Sequence, residues 1–106
     1  MKNEIYHNGI LIEAQDKRTF EQAKQLNIDY RRELTSQILF SAGLDTATQQ
    51  NAALGIYEPD RCEAIKNYIA ACRNEYLRCK ALILAATSND EADSVQFVAP
   101  AVPENL

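Results

Sequence analysis

The sequence predicts a mainly α-helical protein with an N-terminal β-hairpin, two long antiparallel helices joined by a short helical connector, and an extended C-terminal tail. Three observations support this fold class: a heptad pattern of apolar residues in the second half of the chain, a helix-capping motif at Thr19, and an Asn8-Gly9 turn between two apolar runs. Because the chain has 106 residues, we expect one small helical domain, residues 1–87, followed by a tail or docking arm, residues 88–106.

The β-hairpin is predicted over residues 4–13. Asn-Gly accepts the positive φ angles of a type I′ turn, and β-branched and aromatic residues flank it on both sides. A lone two-stranded ribbon is only marginally stable in water. We therefore expect the hairpin to pack against a helix or to pair with another chain.

The first long helix is predicted over residues 19–42. Thr19 and Gln22 form a capping box at its start, and Gly43 is expected to end it in a left-handed conformation. The helical period predicts one apolar face, with Ile28 and Leu39 on a roughly opposite side. The residues of that face are Phe20, Ala23, Leu26, Tyr30, Leu34, Ile38 and Ala42.

A short connecting helix is predicted over residues 46–54, opened by a second capping box from Thr46 to Gln49 and closed by Gly55. Because this connection is compact, the two long helices are expected to pack antiparallel.

The second long helix, predicted over residues 59–87, carries the strongest pattern in the chain. Pro59 suits the first helical position, and no Gly or Pro follows before residue 88. Apolar or weakly polar residues recur at alternating spacings of three and four, as in a coiled-coil seam. The seam consists of Cys62, Ile65, Ile69, Cys72, Tyr76, Cys79, Ile83 and Ala86.

The C-terminal end of this helix is apolar on nearly all sides, so one neighbouring helix cannot cover it. We expect it to lie in a bundle, under the hairpin or in a subunit interface. The tail, held extended by Pro100 and Pro103, is not expected to be ordered by itself and should dock on a neighbouring chain. The predicted interface residues are Ile65, Ile69, Cys72, Tyr76, Cys79, Leu82, Ile83, Leu84, Val95, Phe97 and Val98.

Composition excludes several classes of function. A net charge of −4 and a pI near 4.9 argue against nucleic acid as the main partner. Neither a membrane-spanning apolar run nor a signal peptide is present, which predicts a cytoplasmic protein or one packaged from the cytoplasm into a particle. The three cysteines form no C-x-x-C pair and are interpreted as buried thiols.

Catalytic and metal chemistry have little support in the sequence. A parallel oligomer could gather copies of one cysteine around a metal, and His7 could form a cysteine–histidine pair across subunits. We prefer packing cysteines and a solvated turn histidine, because a catalytic base also needs an orienting partner. No Ser-His-Asp set, phosphate loop or H-E-x-x-H motif occurs. We predict no enzymatic activity, cofactor or metal.

A basic flank runs beside the seam, with Lys66, Arg73 and Lys80 repeating every seven residues. Such residues usually cover a seam with their aliphatic stems and pair with acids on a partner helix. Alternatively, they could form an anion site with Tyr68 and Tyr76 as a stacking platform.

Two hypotheses for function follow. The first is a non-enzymatic assembly or adaptor protein, a homo-oligomer or a subunit of a larger assembly, whose compact organisation suits a small phage or mobile-element protein. The second is an oligomer that binds a small phosphorylated or nucleotide-like anion between its helices. An enzyme is a distant third.

Overall fold

The computed structural model describes residues 18–106 in full, together with the backbone of two short strands before them. Helices account for about 70% of residues 18–106. In chain order they are α1 (Phe20–Ser41), α2 (Thr46–Ala53), α3 (Pro59–Ala85) and α4 (Asn89–Asp93).

The fold class needs correction at the N-terminus, because the predicted hairpin over residues 4–13 is no part of the folded domain. Strands β1 (Ile5–His7) and β2 (Ile10–Ile12) pair antiparallel with each other, with Tyr6 opposite Leu11. Neither strand lies against a helix of residues 18–106, so the first of the two expected placements is wrong. Residues 4, 8, 9 and 13 and the His7 side chain lie outside the described part of the chain. Within residues 18–106 the only regular secondary structure is helical.

Local capping signals place the ends of α1 correctly. The Thr19 hydroxyl accepts a hydrogen bond from the Gln22 backbone N–H at 3.1 Å, and the Gln22 side chain accepts one from the Thr19 N–H at 2.9 Å. At the other end, Gly43 has a φ of 86°, and the Leu44 N–H bonds back to the Leu39 carbonyl at 3.0 Å. The capping box and the left-handed glycine cap are both confirmed.

The N-cap of α2 is Asp45, one residue before the predicted Thr46. The Asp45 carboxylate accepts from the Thr48 N–H at 2.7 Å. This hydrogen bond keeps the pKa of Asp45 below its ordinary value. A carboxylate at this position also faces the positive end of the helix dipole, which explains why it is used in place of the threonine.

The heptad seam of α3 is buried against elements of the same chain. One end packs in a core cluster with α2 and the loop before it, and the other packs in a second cluster with α1 and α4. Ile65, Cys72, Cys79 and Ile83 are fully buried. The seam is therefore the core-facing side of α3, with α1 lying alongside it in the antiparallel direction. The first cluster consists of Leu44, Ala52, Ile65, Tyr68 and Cys72, and the second of Ile28, Ile83, Ala86 and Ala92.

The C-terminal region folds back on its own helices. Ser88 caps α4 by accepting from the Glu91 N–H at 3.1 Å, so a short helix precedes the extended segment. Residues 95–106 then run back along α3 toward its N-terminus. Val95 packs on the second core cluster and Leu106 on the first. The tail thus docks on helices of its own chain, whereas the sequence suggested docking on a neighbouring chain.

The buried face of α1 differs from the predicted one. Leu26 and Tyr30, assigned to the apolar face, are 54% and 60% exposed, whereas Asn27 and Arg31 are only 6% and 7% exposed. The Arg31 guanidinium donates to the Asn27 side-chain oxygen and to the Val95 carbonyl, both at 2.6 Å. Polar residues occupy the core side because they bind the C-terminal region.

A second set of polar contacts fixes the tail to α3. Arg78 donates twice to the Glu75 carboxylate, each time at 2.6 Å, and once to the Gln96 carbonyl at 2.6 Å. The Val98 N–H donates to Glu75 at 2.7 Å. The Arg78 hydrogen bonds and the Val98 N–H together lower the pKa of Glu75 from 4.5 to about 2, against the opposing effect of burial.

This ion pair predicts a pH dependence of stability. Because the folded pKa of Glu75 lies below its ordinary value, its contribution is complete above about pH 4.5 and disappears as the pH falls toward about 2. The unfolding free energy of the wild type should therefore fall more steeply across this window than that of Glu75→Gln. Urea unfolding at several pH values measures both slopes. Glu33→Gln, which removes an exposed carboxylate of α1, is the control; equal slopes for wild type and Glu75→Gln would contradict the prediction.

Candidate functional site

The three cysteines are packing residues in this fold. Cys62, Cys72 and Cys79 are free and buried. Burial raises the pKa of Cys72 and of Cys79, which keeps both thiols protonated and poorly nucleophilic at neutral pH. Within residues 18–106, His, Cys, Asp and Glu side chains form no group of three that could hold a metal ion.

The predicted anion site is divided between different parts of the fold. Tyr68 is 3% exposed inside the first core cluster, and burial raises its pKa, so its ring is closed to a stacking ligand. Tyr76 is half-buried at the α1–α3 groove, where its hydroxyl accepts from Arg32 at 3.2 Å. Lys66 and Lys80 are about 21 Å apart along α3, too far to meet at one small ligand.

The cations of the basic flank differ from the other described cations in having no described partner. Every other lysine and arginine between residues 18 and 106 makes a hydrogen bond, an ion pair or a ring contact. Lys66, Arg73 and Lys80 make none with the described part of the chain. Three cations at heptad spacing on one helix therefore have no bound acid among residues 18–106.

Apolar residues lie between these cations on the same face of α3. The spacing alternates four and three, which makes this a second seam, turned away from the core. Leu77 is 41% exposed and Leu84 is 53% exposed. We call this surface the outer stripe; its residues are Lys66, Ala70, Arg73, Leu77, Lys80 and Leu84.

The outer stripe is free of acidic residues. Between residues 64 and 87 the only acid in the sequence is Glu75, which faces the tail and is bound by Arg78. Of the six stripe residues, five are exposed and Lys80 is half-buried. In a chain of net charge −4 this face of α3 is locally positive and partly apolar.

A groove of about 290 Å³ borders the outer stripe at Arg73. Arg32, which the sequence analysis did not single out, lies here beside Tyr76, with its guanidinium 5.8 Å from the ring centroid. Arg32 also pairs with Asp29 at 3.2 Å, and both side chains are at least half exposed. The groove is lined by Arg32, Thr35, Ser36, Leu39, Ile69, Arg73 and Tyr76.

Comparison of the chain with protein-family models, with curated proteins and with solved structures found no match. Within the described residues, no helix combines the length and apolar content needed to cross a bilayer.

The predicted interface residues fall into two groups. Ile65, Cys72, Cys79 and Ile83 are fully buried in the chain's own core. Ile69, Tyr76 and Val95 are half-buried against it, and Phe97 is also half-buried. Leu82, Leu84 and Val98 remain exposed, at 47%, 53% and 66%. Of the predicted interface, the part that remains open to a partner thus lies on the outside of α3 and on the tail.

Proposed function

We propose that this chain is a non-enzymatic assembly or adaptor protein that binds another protein through the outer stripe. The observation that carries the proposal is the second seam on α3: exposed leucines at helical spacing, interleaved with cations that have no described partner. Apolar residues at such spacing are the usual anchors for a partner helix.

The stripe is not needed to complete the core. The first seam of α3 is covered by α1, α2, α4 and the tail, and the exposed Leu77 and Leu84 belong to neither core cluster. Exposed apolar residues grouped along one helix face, rather than scattered singly, are typical of interaction surfaces. The tail contributes Val98 and Val102 on a different side, at 66% and 55% exposure.

The proposal is tested with the double variant Leu77→Ser/Leu84→Ser in the full chain. We expect an unchanged circular dichroism spectrum and loss of the proteins that the wild type captures from a lysate of its native host. The matched control is Leu26→Ser on the outside of α1, which removes a leucine of similar exposure and should retain capture. Capture that is equal for both variants would contradict a role for the stripe, and so would no capture at all.

A second candidate function is the binding of a small anion in the groove beside Tyr76. Arg32 and Arg73 both line this groove with the Thr35 side chain, and guanidinium groups bind phosphates through paired hydrogen bonds. Thermal-shift measurements with nucleotides and phosphorylated metabolites should raise the melting temperature of the wild type more than that of Arg73→Gln. If no compound of the panel stabilises the wild type, the groove is not an anion site.

A further inference from the structure

The charge pattern of the outer stripe specifies its partner further. We propose that the stripe binds an acidic amphipathic helix from another protein, one that carries apolar residues at alternating spacings of three and four and acids about seven residues apart. This inference rests on the proposed function, since it names the partner of the same surface.

The length and shape of the stripe favour a helix as the occupant. From Lys66 to Leu84 the stripe spans about 27 Å, the length of roughly five helical turns. Ala70 has a small side chain that allows close approach of a helix near one end, whereas Leu77 and Leu84 project farther toward the other. Apolar residues flanked by charges of one sign match the seam and edge positions of a two-helix interface.

The cations determine the sign of the partner's charge. Lys66, Arg73 and Lys80 have no described carboxylate of their own, so an acid on the partner would form an ion pair without breaking an existing one. Their aliphatic stems can cover the leucine contacts, while their charged ends pair with acids of the partner at the solvent-exposed edge of the interface. Rim charges of this kind contribute mainly to association rate and to partner choice.

A second copy of this chain is a poor match for the stripe. When two copies of the stripe overlap fully in antiparallel, Lys66 lies opposite Leu84 and Arg73 opposite Leu77, so the cations meet apolar residues and no acid. The exposed stripe on α1 does not supply the missing acids either. It runs through Leu26, Tyr30, Glu33, Gln37 and Phe40 and contains one carboxylate.

A nucleic acid is also a poor match. Successive cations of the stripe are about 10 Å apart along the helix axis, with Leu77 and Leu84 exposed on the same surface. Phosphate backbones are bound by denser positive charge, and contact with them would place these leucines against a polar surface.

The test measures fluorescence anisotropy of labelled peptide probes with the full chain. The first probe is an amphipathic helix with leucines at the seam positions and glutamates flanking them. The comparison probes are the same peptide with lysine in place of glutamate, and a scrambled peptide of the first composition. We expect the acidic amphipathic peptide alone to bind, and its affinity to fall as salt rises from about 50 mM to about 500 mM.

Variants of the chain identify the surface. Arg73→Glu should weaken binding of the acidic peptide by about tenfold, and the triple variant Lys66→Glu/Arg73→Glu/Lys80→Glu should bind the lysine peptide instead. Arg61→Glu makes the same charge change on another face of α3 and should leave binding unchanged. Circular dichroism spectra of all variants show whether the fold is kept.

Several results would overturn the inference. No binding of the acidic peptide at roughly 100 µM, or equal binding of the scrambled peptide, would exclude this partner class. Tighter binding of an oligonucleotide, or sedimentation showing self-association that Arg73→Glu abolishes, would assign the stripe to nucleic acid or to a second copy. If the peptides fail while lysate capture still depends on Leu77 and Leu84, the inference fails and the proposed function stands. Capture that does not depend on these leucines would contradict both the inference and the proposed function.

Discussion

A chain lacking residues 94–106 is expected to lose about 4 kcal/mol of unfolding free energy while α1 and α3 still form. Val95 and Leu106 each cover a core cluster, and their removal exposes the buried side chains beneath them. The deletion also removes the acceptor carbonyls of Arg31 and Arg78 and the N–H that binds Glu75. Urea unfolding followed by circular dichroism measures the loss.

The control for this deletion is the double variant Val98→Ser/Val102→Ser. These two tail residues are 66% and 55% exposed, so the change should alter the unfolding free energy by less than about 1 kcal/mol. The deletion separates two roles for the tail. If stability is unchanged and association with another protein is lost, the tail is an interchain arm, as the sequence suggested. Docking of the tail within the chain would then contribute little to the unfolding free energy.

Local patterns in the sequence predicted the helices well, because the signals act over three or four residues. Thr19 with Gln22, Gly43 and Pro59 each satisfy a backbone requirement at a helix end that no distant contact has to supply. The seam of α3 could also be identified from the sequence, since its burial follows from helical periodicity alone. The Ser88 and Glu91 pair, a serine followed three residues later by a glutamate, could have revealed α4 in the same way.

The buried face of α1 could not be predicted by periodicity. Hydropathy assigns Leu26 and Tyr30 to the core and Asn27 and Arg31 to solvent, and the structure reverses both assignments. The reason is a partner far away in sequence: Asp93 accepts from the Asn27 amide at 2.7 Å. A polar residue becomes a core residue only when its hydrogen bonds are satisfied, and no local pattern indicates that.

The candidate site was predicted in part. Lys66, Arg73 and Lys80 were identified by their heptad spacing, but their significance depends on their lack of described partners, which requires the fold to be known. Tyr68 was misplaced because it lies one residue from the seam and packs inward. The same helix thus carries two seams, one apolar and buried, and one interleaved with charge and exposed. A helix with both can hold a small fold together and still present a surface to a partner.

Asn27 and Arg31 form a buried polar cluster on α1. The variant Arg31→Met is expected to destabilise the fold by about 3 kcal/mol. Methionine keeps the volume and much of the aliphatic stem, so packing is largely retained. What is lost is the pair of donors that bind the Asn27 side chain and the Val95 carbonyl, both at 2.6 Å. With Arg31 only 7% exposed, water cannot easily replace these donors, and the acceptors lose their partner. Urea unfolding at neutral pH gives the difference.

Arg32→Met on the same helix is the matched control, because it makes the same chemical change at an exposed position. Arg32 donates to Asp29 and to the Tyr76 hydroxyl, both at 3.2 Å, and such exposed contacts contribute less than about 1 kcal/mol. Equal unfolding free energies for the two variants would mean that the cluster is energetically neutral. A stabilised Arg31→Met would mean that, as in some other proteins, the buried charge costs more in desolvation than its contacts return. The cluster would then serve to hold Asp93 and Val95 in one defined position against α1 rather than to add stability.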